Sequence, residues 1–205
     1  MELTVTTLMS LDGVTQAPGA PDEDRSGGFD LGGWAMPYID EDGSKRVEEI
    51  FDRADAFLLG RKTYEIFAGY WPQVSGNPIA DALNGRPKHV VSSTLGELSW
   101  DGASLLDGDL LDAVAELKRR PGRELQVHGS VKLTQALLAA GLVDRHHLSV
   151  FPVALRSGRR LFDGAVPPTK LRVEESMTTA AGVQMLTCVP DGAPAQGHFP
   201  DPEDA

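Results

Sequence analysis

One cysteine, Cys188, is all the thiol the chain carries. That excludes an internal disulfide and any cysteine-based metal cluster, and it suits a reducing compartment. Long apolar runs are missing too: none approaches the roughly 18 residues of a membrane span. The opening stretch MELTVTTLMSLDG has an acid where a signal peptide carries bases, and its Thr residues alternate with apolar ones. It reads as a first strand, with neither a leader nor a fused deaminase segment ahead of it, and the expected location is cytoplasmic. Basic charge is short as well, with 19 Lys and Arg against 30 Asp and Glu and a net charge of −11. Nucleic-acid binding through phosphate neutralisation is therefore not expected. A local basic pocket still holds an anion against such a background.

No metal site is expected either. His146 and His147 are adjacent, and neighbouring strand residues face opposite sides of a sheet. His89, His128 and His198 are scattered. There is no local signature of a Ser-His-Asp or Cys-His arrangement, no internal repeat, and no GxGxxG.

What is present is a chain of 205 residues, 41% of them hydrophobic, which suits one domain over residues 1–190 with a substantial core. Short apolar strands alternate with helical patterns, which argues for an α/β layered fold. Strands are expected at 2–9, 55–60, 88–91, 103–108 and 124–129. Helices are expected at 45–54 with Ser44 as N-cap, at 61–71, at 77–85 stopped by Gly85, at 110–120 capped by Asp109, and at 131–140 capped by Ser130 and closed by Gly141. The tail changes character: HHLSVFPVAL, KLRVEESM and GVQMLTCV read as strands without intervening helices, hence an antiparallel edge. About eight strands in one mixed sheet result. Residues 16–43 form a long glycine-rich acidic loop, and such loops are usually functional or partly disordered. Residues 191–205, rich in Pro, Gly and acid, read as a disordered tail.

Three strand ends carry the chemistry. In LLGRKTYE, Gly60 lets the backbone turn off a strand, and Arg61, Lys62 and Thr63 stand at a helix start. A helix start carries partial positive charge and unpaired N–H groups, so two cations there are either solvated or awaiting an anion. GRKT is not a Walker A loop, because Leu58 and Leu59 occupy the place of its glycines. In VHGSVKL, Gly129, Ser130 and Val131 again lead a strand into a helix. In VVSST, Ser92, Ser93 and Thr94 offer hydroxyl donors or make a polar turn. Ligands of open α/β sheets collect outside the carboxyl ends of the strands. Three donor-rich ends, one dibasic, suit an extended ligand with several phosphates, such as a dinucleotide bearing an additional one.

SLDG, LLGRKTYE, WP, PKHVVSST, VHGS, GLVD and SGRRLF follow one another in an order that resembles the dihydrofolate-reductase-like family. That family includes the reductase domain of the bifunctional riboflavin-biosynthesis deaminase-reductase. The resemblance runs from about Leu3 to Val189. It implies a three-layer sandwich with a mixed, mostly parallel sheet, and NADPH as cofactor. It places Gly60, Arg61, Lys62 and Thr63 on cofactor phosphates, Ser92, Ser93 and Thr94 near the adenosine 2′-phosphate, and Gly129, Ser130 and Val131 at the pyrophosphate.

Hydride transfer to a carbonyl or imine also needs a proton source. Asp12 in SLDG and Asp40 in WAMPYID are the candidate acids, each with a plainer reading as a turn or loop residue. Trp34, Met36, Tyr38 and Trp71 are candidate walls for a flat substrate, or ordinary packing. Two departures from the riboflavin-pathway pattern stand out. Arg145 follows GLVD where relatives place an acid, and Arg156 stands in LRSGRRLF where they tend to have glycine. Both count against the riboflavin intermediate as substrate. The readings carried forward are an NADPH-dependent reductase of a small heterocyclic or carbonyl substrate, a non-catalytic binding module on the same fold, and a riboflavin-pathway pyrimidine reductase. A homodimer through the antiparallel edge is also expected.

Overall fold

The computed structural model describes residues 1–164 and 166–198. Eight strands form one sheet: β1 (Glu2–Ser10), β2 (Ala54–Gly60), β3 (Lys88–Val91), β4 (Ala103–Leu105), β5 (Glu124–Val127), β6 (Arg145–Phe151), β7 (Leu171–Thr178) and β8 (Gln184–Pro190). Their spatial order is β4-β3-β2-β5-β1-β6-β8-β7. Every pair from β4 to β6 is parallel, and β8 runs against both β6 and β7. The mixed sheet with an antiparallel C-terminal edge is therefore as the sequence pattern implies. Parallel neighbours require crossovers, and among the described residues five helices stand in every connection from β1 to β6 except the one between β3 and β4, which is a helix-free loop: α1 (Glu41–Asp52), α2 (Arg61–Tyr70), α3 (Pro78–Gly85), α4 (Leu110–Arg119) and α5 (Val131–Ala139).

Alternation along the strands divides the core between two faces. Leu3, Val5, Leu58, Leu125 and Val127 pack on Val114 and Leu117 of α4 and on Leu133 and Leu137 of α5. On the opposite face Phe57, Leu59 and Val90 pack on Phe51 of α1 and Leu83 of α3. The loop before α1 has a core of its own, in which Phe29, Trp34 and Ala35 are buried against Val14, Phe151 and Met185. Two short 3-10 turns, Ser26–Gly28 and Met36–Tyr38, are its regular structure.

One helix boundary and two capping interactions differ from the sequence reading, while α3 does end at Gly85 and α5 does start after Ser130. Asp40, not Ser44, caps α1, because its carboxylate accepts from the Gly43 N–H at 2.8 Å and acids Glu41 and Asp42 fill the first turn. Ser130 precedes α5 without making a side-chain cap. Gly85 does not end α3 by turning left-handed. The final carbonyls go instead to Lys88, whose ammonium donates to Leu83 O, Asn84 O and Arg86 O at 2.7, 3.3 and 2.8 Å. Lys88 is fully buried and lies 4.7 Å from the Trp100 ring centroid.

Cys188 is 2% exposed on β8, between His146 and Val173, and burial pushes its thiol pKa up. Residues 191–198 form no regular element, and the rest of the expected tail, 199–205, lies outside the described residues. Lys88→Met keeps the volume but leaves three carbonyls without a donor. It is expected to lower the unfolding free energy by about 2–3 kcal/mol, measured by urea denaturation.

Candidate active site

β3, β2 and β5 are adjacent and parallel, so the three donor-rich strand ends lie side by side. The Gly60 N–H donates to the Gly129 carbonyl at 3.1 Å. A Cβ on Gly60 would stand 2.5 Å from Ser130 Oγ, and one on Gly129, whose φ is +125°, would stand 2.8 Å from Thr63 Oγ1. Only glycine permits two strand-to-helix turns to approach this closely. The Gly129–Ser130 peptide is cis.

These turns open on a cleft of about 1520 Å³. All ten residues expected to hold cofactor line it: Gly60, Arg61, Lys62, Thr63, Ser92, Ser93, Thr94, Gly129, Ser130 and Val131. The helix starts at the cleft differ from the others. Asp40, Asn77 and Asp109 cap α1, α3 and α4 with side-chain oxygens, whereas α2 and α5 begin without a side-chain cap. Arg61 is half-exposed, 3.6 Å from Glu65 one turn on. Ser92 Oγ accepts from Thr94 N and Leu95 N at 3.1 and 3.0 Å and so shapes its own turn.

Met36 and Trp71 stand in the cleft wall with Val47, Phe51, Phe67 and Tyr70. Trp34 and Tyr38 do not. They pack edge-on against Phe151 with centroids 5.5 and 6.2 Å away, and Trp34 Nε1 donates to Gln16 O at 2.8 Å. Both are core of the loop rather than walls of the cleft.

The two candidate acids are withdrawn from the cleft. Asp12 accepts from the Leu155 and Arg156 N–H groups at 3.0 and 2.8 Å and from Ser10 Oγ at 2.7 Å, and it faces Arg160 at 3.4 Å. The Leu155 hydrogen bond leads these effects, which hold its carboxyl well below the usual carboxylate range. Asp40 accepts from Ala181 N and Gly43 N, both at 2.8 Å, and the first of these leads the lowering of its pKa. Neither side chain lines the cleft, and both serve as anchors for backbone N–H groups.

Asp24, Thr6 and His128 are among the cleft residues to which the sequence reading gave no site role, and Arg159 lines the cleft too. Asp24 clasps the loop over the cleft. Its carboxylate accepts from Lys62 Nζ at 3.2 Å, from Ser26 N at 3.0 Å and from the Arg159 guanidinium. Burial alone raises its pKa, but the hydrogen bonds from Ser26, Lys62 and Arg159 outweigh it and bring the pKa down to about 2. The stability this contributes is present above the ordinary value of 3.8 and is lost as pH falls through about 2. The clasp therefore stays charged at every physiological pH.

The two departures noted in the sequence lie elsewhere. Arg145 opens β6, pairs with Glu2 and Glu174 at 3.2 and 2.5 Å, and is not a cleft residue. Arg156 is exposed at φ +67°, and its N–H serves Asp12. Neither one lines the cleft. A residue with a side chain in the left-handed region costs energy that glycine avoids. Arg156→Gly is thus expected to raise the unfolding free energy by about 0.5–1 kcal/mol in thermal or urea melts, leaving ligand binding unchanged.

Comparison with known proteins agrees with this architecture. The family model of the RibD C-terminal domain matches residues 2–185. Two uncharacterized Bacillus subtilis (strain 168) proteins are similar. YyaP is 27% identical over 142 residues, covering 67% of this chain and 75% of its own. YwjB is 23% identical over 154 residues, covering 74% and 84%. Among solved structures, a putative riboflavin biosynthesis protein from Shewanella sp. PV-4 superposes with a TM-score of 0.68 at 22% identity, covering 93% of this chain and 99% of its own. A pyrimidine reductase-like protein from Corynebacterium diphtheriae gives 0.64 at 16% identity, covering 93% and 92%.

Proposed function

The chain belongs to the RibD C-terminal domain family, and from that membership we propose that it is an NADPH-dependent reductase of a small heterocyclic or carbonyl substrate. One observation carries the reading: two uncapped helix starts, held together at Gly60 and Gly129, face one cleft beside a dibasic pair. Unsatisfied N–H groups, positive helix ends, Arg61, Lys62 and hydroxyls form a donor set suited to phosphates. In this reading Gly60, Arg61, Lys62 and Thr63 hold phosphate at the start of α2. Gly129, Ser130 and Val131 take the pyrophosphate, and Ser92, Ser93 and Thr94 take the additional phosphate that separates NADPH from NADH. Hydride is the chemistry such a cofactor supplies when bound. The apolar wall of Met36, Val47, Phe51 and Trp71 keeps a flat substrate against it and excludes bulk water. Asp12 and Asp40 are committed to backbone N–H groups, so the proton is assigned to water admitted to the cleft.

A riboflavin-pathway pyrimidine reductase is the second reading. It gains from the position of Arg145, which lies outside the cleft and so removes an objection raised by the sequence. Complementation of a riboflavin auxotroph separates it from the first. The reading also includes a cytoplasmic location and a homodimer through the free edge of β7. That strand carries Arg172, Glu174 and Glu175, charges that select against casual pairing. Light scattering at twice the 22.0 kDa chain mass supports the dimer, and a 22.0 kDa particle at micromolar concentration removes it.

The primary test is titration with NADPH and NADH, repeated on Arg61→Ala. NADPH is expected to bind more tightly than NADH. The variant is expected to lose about tenfold to a hundredfold of NADPH affinity, the loss of one charge-assisted contact of roughly 1.5–3 kcal/mol. If neither nucleotide binds, the likeness is one of fold alone.

A further inference from the structure

β5 reads Glu-Leu-Gln-Val, and the chain continues into His128. Its alternate residues Glu124, Gln126 and His128 lie on one face of the sheet, under α1. They form a chain of polar contacts that ends in the cleft. Gln126 Nε2 donates to the Ile50 carbonyl at 2.6 Å and to Glu124 Oε2 at 2.7 Å. Glu124 Oε2 also accepts from Thr4 Oγ1 at 3.3 Å, and the Arg53 guanidinium lies 2.5 Å from Glu124 Oε1. A carboxylate so placed is an acceptor, and so is a carbonyl. The Gln126 amide thus has one orientation, with its NH₂ toward these two groups and its Oε1 toward His128 Nε2 at 3.0 Å.

An amide oxygen only accepts, so Nε2 of His128 must carry the proton. The ring stacks on Phe51 with centroids 4.3 Å apart and planes at 23°. Burial first, and His147 next, lower its pKa to about 3, so the imidazole is neutral. The remaining nitrogen, Nδ1, is then unprotonated and has no hydrogen-bond partner among the described residues. On the adjacent strand Val5 pairs with Val127, so Thr6 comes level with His128. Thr6 also lines the cleft, and its Oγ1 is buried without a partner among the described residues. Buried polar groups are ordinarily satisfied, which points to a bound group at this spot.

We propose that His128 is a specificity residue of the cleft, locked by Gln126 and Glu124 in the Nε2–H form so that Nδ1 accepts a hydrogen bond from an N–H or O–H of the ligand, with Thr6 beside it. The proposal rests on the cleft being the ligand site, but the locked form holds whether or not NADPH binds. Its lock therefore fails independently of the reductase reading. His128 acts as a reader of donors and not as a proton source.

The test is ¹⁵N NMR of the full chain labelled at histidine. His128 is expected to show a protonated Nε2 and an imine-like Nδ1, unchanged from pH 6 to 8. A protonated Nδ1, or titration in that range, overturns the proposal. Gln126→Leu is expected to mix the two tautomers, and a pure Nε2–H form in a folded variant removes Gln126 from the lock. Two probes then read Nδ1. 2-Pyridone, which has an N–H, is expected to shift its resonance, and N-methyl-2-pyridone, which lacks one, is not. Equal responses, or no response to either up to their solubility limits, overturn the acceptor role. NADPH binding with a protonated Nδ1 would keep the reductase reading and discard this one. A locked Nε2–H form without NADPH binding would do the reverse.

Discussion

The contact between Gly60 and Gly129 is the constraint on which the cleft depends. Two parallel strands leave the sheet next to each other, and each must turn at once into a helix. Their turns collide unless both glycines lack side chains, as the distances of 2.5 and 2.8 Å to imagined Cβ atoms show. Once the collision is avoided, two helix starts stand together with their N–H groups on one side. Two positive helix ends then meet beside Arg61 and Lys62, in a chain whose net charge is −11.

What the sequence made legible was local. A strand, a glycine and a helix in succession can be read from a dozen residues, and two of the three donor-rich ends were visible that way, the third as a strand running into Ser92, Ser93 and Thr94. Their adjacency in space was a matter of strand order, which parallel α/β rules favour but do not dictate. The antiparallel finish was legible because the helical pattern stops after Gly141. Helix ends were less so. Lys88 collects the carbonyls that end α3 from a position beyond the helix, and no capping pattern announces that.

What escaped was long-range. Asp12 looks like a turn residue or an acid in waiting, and its true partners, Leu155 and Arg156, lie more than 140 residues away. Asp24 sits in a loop without periodicity, and its clasp on Lys62 and Arg159 joins three separate segments. Trp34 and Tyr38 face Phe151 rather than the cleft because the loop folds onto itself. The place of Arg145 outside the cleft was hidden for the same reason, since position after a motif does not say which end of the sheet a residue occupies. His128 did leave a signal. In ELQVH the polar residues alternate on a strand whose other face is core, and a half-polar central strand under a helix calls for a reason.

The lone thiol has a use that follows from its place. Cys188 lies on the one reversed strand, sealed between β6 and β7, with its pKa pushed up by burial. Alkylating reagents attack the thiolate, so the native molecule is silent to them. With no second thiol to confuse the reading, the rate of labelling becomes a clock for the opening of the antiparallel edge. The parallel half that builds the cleft stays invisible to that clock, so the two halves of the sheet become kinetically distinguishable without introducing any probe.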